Sequence, residues 1–130
     1  MDEKVAYWVE IAEYDLETAR AMLQTGRYLY VGFMCHQVIE KMLKGHYQLA
    51  RGETPPYTHN LKYLAEMSGL IEEMSAKQRE FLSRLLPLNV EARYPERKQE
   101  LLSSLNPGVC TRILSSTEEL QSWIKQKLSS

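Results

Sequence analysis

The sequence predicts an all-α fold: one domain spanning residues 1–130, a bundle of about five helices led by a long antiparallel pair. Three observations predict it. Apolar residues recur at intervals of three and four through most of the chain, the period of one helix face. No segment alternates apolar and polar residues with period two, so no sheet is expected. Between the periodic stretches stand capping residues, glycines and prolines that start and stop helices.

Asp2 to Gln24 reads as the first helix, with Val5, Trp8/Val9, Ala12, Leu16, Ala19 and Leu23 as its apolar stripe. Asp2 can cap it, Glu3 suits the positive end of the helix dipole, and Gly26 can take the positive φ that ends a helix. Only a few residues separate it from a second helix, Tyr28 to about Ala50. So short a connection makes an αα-hairpin with antiparallel arms. The second helix starts apolar almost all round (Tyr28, Leu29, Tyr30, Val31, Phe33, Met34), which predicts burial on more than one side. A second subunit is one candidate to cover it.

Gly52, Pro55 and Pro56 make residues 51–57 a loop. Thr58 is expected to cap a short helix from His59 to about Met67, ended by Ser68-Gly69. Ser75 and Gln78 have capping-box spacing and open a fourth helix to about Asn89, whose last turn Pro87 is expected to kink. Residues Glu91 to Glu96 read as irregular, and Lys98 to Leu105 as a short helical turn. Asn106-Pro107 starts a final helix to about Leu128.

Composition narrows the function classes. The chain is 44% hydrophobic and 25% charged, ordinary for a globular protein. The N-terminal stretch is acidic and lacks an apolar signal segment, and no apolar run approaches the ~20 residues of a membrane span. A cytoplasmic protein is therefore expected, with Cys35 and Cys110 as reduced core residues. The net charge of −1 argues neither for nor against nucleic acid, but its distribution is uneven. Residues 1–25 carry Lys4 and Arg20 against six acids; residues 27–62 carry five Lys/Arg against Glu40 and Glu53, plus all three histidines. Such a pair of segments favours antiparallel packing, or leaves a basic cleft for an anion.

The candidate site lies on the second helix. Gln37, Lys41 and Lys44 share one face at spacings of four and three, with His36 and Glu40 on the adjoining face. Gln37, the two lysines and His36 could hold a phosphate and a base edge; a solvated charged face containing a Glu–Lys pair is the alternative. Asp15 falls on the apolar stripe of the first helix, where an unpaired carboxylate would be costly. It is read as facing a cation, Lys41 or Lys44, across a functional cleft, or else as a stripe-edge residue reaching water or a member of a structural ion pair. His59, near a helix start, could join the free N–H groups in binding an anion, or be a surface histidine on a capped turn. Arg93-Tyr94-Pro95 offers a rigidly placed guanidinium and a stacking ring, or a helix terminator whose tyrosine packs on the core. No histidine–cysteine spacing suits zinc, and no phosphate loop or nucleophile elbow occurs. No metal, cofactor or catalytic residue is expected.

Taken together, Ala12-x-x-Asp15-Leu16-x-x-Ala19, Gly26-Arg27-Tyr28, His36-Gln37-x-x-Glu40-Lys41-x-x-Lys44, Thr58-His59-Asn60-Leu61 and Ala92-Arg93-Tyr94-Pro95 resemble the HEPN domain (higher eukaryotes and prokaryotes nucleotide-binding) over roughly Tyr7 to Trp123. The resemblance implies a helical bundle that usually forms a homodimer. It implies nucleotide or RNA binding, and a minimal nucleotidyltransferase as partner in a toxin–antitoxin-like pair. A branch of the family are metal-independent RNases with an Arg-x4–6-His motif late in the domain. Here no histidine follows His59, which argues against that mechanism. The reading that follows is a non-catalytic module, with Lys41, Lys44 and Arg93 assigned to phosphate, Gln37 and Tyr94 to the base, and Asp15 orienting the lysines. An RNase using His59, and a purely structural dimeric protein, are the alternatives.

Overall fold

Asp2 caps the first helix, α1 (Glu3–Gln24), through a side-chain oxygen that accepts the Val5 N–H at 2.9 Å. The computed structural model describes residues 1–90 and 95–129, with side chains at 1–89 and 99–129. Gly26 follows α1 at φ 76°, the left-handed conformation expected of it. The chain reverses into α2 (Tyr28–Arg51), and the two helices pack against each other more extensively than any other pair. Gly45, late in α2, lies beside Trp8 near the start of α1, so the pair is antiparallel. A Cβ at Gly45 would stand 3.3 Å from that of Trp8, which is why the backbones can approach so closely there.

Around this hairpin stand α3 (Leu61–Met67), a 3-10 turn (Leu70–Glu73), α4 (Ala76–Val90), α5 (Pro95–Ser104) and α6 (Pro107–Ser129). No strand occurs among the described residues. Helix α2 is central: α1, α3, α4 and α6 all pack on it. Its Val31, Cys35, Val38, Ile39, Met42 and Leu43 are fully buried. Each large apolar side chain so buried contributes about 1.5–3 kcal/mol. The stripe of α1 is buried as its period predicts, at Val5, Val9, Ala12, Leu16 and Ala19.

Some local details differ from the sequence reading. Helix α3 starts two residues later than expected and is capped by Asn60, whose Oδ1 accepts the Tyr63 N–H at 3.0 Å. Thr58 instead accepts the Asn60 N–H at 3.1 Å, closing a turn before the helix. Both are good caps; the burial of Leu61, Leu64 and Ala65 sets the register that chooses Asn60. The turn expected over Lys98 to Leu105 is a ten-residue helix, α5, so six α-helices are described rather than five. Pro95 opens it because the first helical position needs no N–H donor, which also takes residues 95 and 96 out of the irregular stretch. Tyr30 is half exposed, so the start of α2 is not buried all round. Elsewhere the capping signals hold. Ser75 and Gln78 form the reciprocal capping box at 2.9 and 3.1 Å, and Asn106 caps α6 by accepting the Val109 N–H at 2.9 Å.

The 52–60 segment returns from the end of α2 across its side. Tyr47 Oη donates to Glu53 at 3.2 Å, holding the start of this segment, and Arg51 at the end of α2 donates to the Met67 carbonyl at the end of α3 at 3.3 Å. Asn60→Ala should lower the unfolding free energy by about 1 kcal/mol and Thr58→Ala by a few tenths. Urea denaturation of the two variants checks the assignment; equal losses would contradict it.

Candidate functional site

Helix α2 places His36, Glu40 and Lys44 on one stripe at successive i,i+4 steps, and this stripe is buried rather than solvated. Glu40, 1% exposed, is its centre. Its Oε2 accepts from Lys44 Nζ at 3.0 Å, and its Oε1 lies 2.8 Å from His59 Nδ1. His36 Nδ1 stands 3.7 Å from the same Oε1, too far for a hydrogen bond. Three basic side chains thus surround one buried carboxylate. The Lys44 ammonium also sits 5.8 Å from the ring centroid of Trp8, a cation–π contact from α1.

Burial raises the carboxyl pKa of Glu40, but the hydrogen bonds from His59 and Lys44 and the charges of both lysines outweigh it and hold the group below its usual value. Glu40 is therefore ionised at neutral pH. An ionised carboxylate only accepts, so His59 carries its proton on Nδ1 and leaves Nε2 on its exposed side. The His59 side chain is half exposed. It stands in the turn before α3, not in the first helical turn, so free helix N–H groups do not contribute at this residue. His36 is fully enclosed, and neither ring nitrogen has a hydrogen-bond partner. Burial, opposed by the charge of Glu40, pushes its pKa down to about 4, so the ring is neutral.

A second set adjoins the first. Lys41 Nζ donates to Gln37 Oε1 at 2.8 Å, and Gln37 Nε2 donates to Asn89 Oδ1 at 3.0 Å. Both ends of the Gln37 amide are thereby occupied. Asp15 faces Lys41 from α1, but at a long 3.9 Å. Burial raises the Asp15 pKa, and Lys41 offsets part of this. The expected pairing of Asp15 with a cation of α2 is present, at Lys41 alone; Lys44 answers to Glu40. Two lysines balance two carboxylates, so an incoming anion gains most from the loosely held Lys41 and from His59.

Of the candidate residues, Asp15, Gln37 and Lys41 meet in one set and His36, Lys44 and His59 in the other. Arg93 and Tyr94 lie outside the described residues. The residues that the sequence reading left out of the site are Glu40, Asn89 and Trp8. Glu40 carried a signal, since it is four residues from both His36 and Lys44; Asn89 and Trp8 carried none. Among the described residues, no three His, Cys, Asp or Glu side chains are grouped closely enough to hold a metal ion. A cavity of about 390 Å³ lies between α4 and α6, and none of the candidate residues line it.

Two outcomes test this electrostatic picture. Glu40→Ala leaves Lys44 buried without its partner and should cost roughly 3–5 kcal/mol of stability, whereas Lys41→Ala at the rim should cost under about 1 kcal/mol. Denaturant titration of both variants separates them. The second concerns His36, whose pKa is lowered from 6.5 to about 4 on folding. The unfolded chain takes up the proton first as pH falls. The stability that neutral His36 confers is then complete above about pH 6.5 and lost towards pH 4, by roughly 3 kcal/mol. His36→Phe should flatten unfolding free energy over that window; an unchanged slope would contradict the assignment.

The chain resembles known structures along its whole length. The protein TT1696 from Thermus thermophilus matches with a TM-score of 0.82 and 21% identity, covering 97% of this chain and 99% of that one. ST0689, an archaeal HEPN homologue, matches with a TM-score of 0.66 and 20% identity, covering 98% and 99%. At these identities the likeness speaks for the fold alone. No curated protein matches the sequence. The profile of the HEPN domain matches residues 5–127, and the chain belongs to the HEPN domain family.

Proposed function

We propose that this chain is a non-catalytic HEPN module that binds a nucleotide or other phosphorylated ligand over the Glu40 cluster. One observation carries the reading: a buried carboxylate gathers His36, Lys44 and His59, and His59 is half exposed with its Nε2 unengaged. Such a cluster is an inefficient way to stabilise a core, since apolar side chains of similar volume usually serve as well or better. A ligand phosphate would be met by Lys41, turning from its 3.9 Å contact with Asp15, and by His59 in the form that carries a proton on both ring nitrogens, with Nδ1 on Glu40 and Nε2 donating to the phosphate. The role first given to Gln37, reading the base, is not carried forward, because its amide is already satisfied at both ends. Family membership supports the wider setting that we also propose: a homodimer in the cytoplasm, paired with a minimal nucleotidyltransferase in a toxin–antitoxin-like system.

The Glu40–His59 pair favours a second reading. A carboxylate that holds an imidazole by Nδ1 leaves Nε2 placed to take a proton, so the pair suits a metal-independent RNase. RNA cleavage in EDTA that His59→Ala abolishes would select that reading.

Thermal shift with AMP, ATP, pyrophosphate and tRNA tests the binding proposal. A ligand at about 100 times its Kd adds ~2.7 kcal/mol, a Tm rise of several degrees. Lys41→Ala should fold normally and lose the rise; His59→Ala, which also takes a hydrogen bond from the buried Glu40, should start from a lower Tm and lose the rise as well. No shift with any of the four would overturn the proposal.

A further inference from the structure

Beside the Glu40 cluster, the first turns of α1, the end of α2 and the 52–60 segment enclose a groove of about 300 Å³. Glu3, Lys4, Tyr7 and Trp8 line it from α1, Gln48 from α2 and Thr54 from the segment that follows. The two rings meet edge to face, with centroids 6.1 Å apart at 66°, and Tyr7 is more than half exposed. An apolar wall made of aromatic rings is a stacking surface for another planar ring.

The second observation is Gln48. The residue is 8% exposed, and its side-chain amide, which hydrogen-bonds to no other described residue, stays in contact with solvent in the groove. Its backbone carbonyl accepts the Gly52 N–H at 2.9 Å; the amide is not engaged. It presents a donor and an acceptor side by side, the pattern with which glutamine reads a base edge. The contrast with Gln37, saturated at both ends, is direct. In the larger cavity between α4 and α6 the one amide, that of Gln78, is engaged in the capping box with Ser75.

We infer that this groove is a nucleobase site, in which the base lies against Tyr7 and Trp8 and is read by the Gln48 amide. The inference rests on the proposed nucleotide function and adds to it a place for the base. The groove adjoins the basic cluster through one residue: Lys44 contacts the Trp8 ring at 5.8 Å and bonds to Glu40, which holds His59. A nucleotide whose base fills the groove would therefore carry its phosphate towards Lys41 and His59.

The experiment uses a Trp123→Phe background, so that Trp8 is the only tryptophan. AMP, ribose 5-phosphate and pyrophosphate are titrated while Trp8 emission and Tm are recorded. AMP should quench Trp8, and ribose 5-phosphate should not. Gln48→Leu, close in size but without hydrogen-bonding groups, should weaken AMP binding about tenfold and leave the pyrophosphate Tm rise unchanged. Tyr7→Ala, at an exposed position that the fold does not need, should weaken AMP in the same way and guards against a folding defect in Gln48→Leu. If AMP raises Tm but leaves Trp8 emission and the Gln48→Leu affinity unaltered, the base site is overturned and nucleotide binding stands. Equal quenching by ribose 5-phosphate overturns it likewise. If none of the three ligands changes Tm or emission, both proposals fall.

Discussion

A carboxylate taken out of water inside a helical bundle must have its charge met on the spot, or it costs several kcal/mol. At Glu40 two polar hydrogens meet it, one from Lys44 on the same helix and one from His59 on a different segment. This requirement organises the side of the molecule around α2. It fixes where the 52–60 segment returns, which nitrogen of His59 is protonated, and how Lys44 lies across Trp8. His36 completes the picture from the other side. It is enclosed and neutral, so it adds no positive charge to the cluster.

The charge balance explains why this surface is not a simple basic patch. Lys41 and Lys44 stand against Asp15 and Glu40, and the two pairs differ in tightness: 3.0 Å at Glu40 and 3.9 Å at Asp15. The tight pair is structural in effect whatever else it does, because neither member can be removed without stranding the other. The loose pair is the adjustable one. Any anion recognised here has to compete for cations already engaged, which favours a ligand that brings further contacts of its own.

Much of the architecture was readable because it rests on local chemistry. The αα-hairpin follows from two stripes and a short turn; the Ser75–Gln78 box and the Asn106 cap follow from spacings of three. The start of α3 was harder because Thr58 and Asn60 both make good caps, and tertiary burial of Leu61 and Leu64 decides between them. The candidate site was readable in part. Helix spacing placed Gln37, Lys41 and Lys44 together and suggested Asp15 opposite them. It could not reveal that the stripe of His36, Glu40 and Lys44 is covered. That depends on the 52–60 segment folding back, a non-local event with no periodic trace. Glu40 therefore looked like one half of a surface pair, when it is the centre of a buried network.

The polar tethers of the 52–60 segment place the two sides of this network in different units of local stability. The α2 side is secured by fully buried apolar residues of the central hairpin, so its amides should open only when the whole bundle does. The His59 side is secured by polar contacts at Glu53 and Glu40 and by the burial of Pro55. With fewer buried apolar residues, its amides should exchange sooner than those of α2, and any opening there uncovers the carboxylate of Glu40.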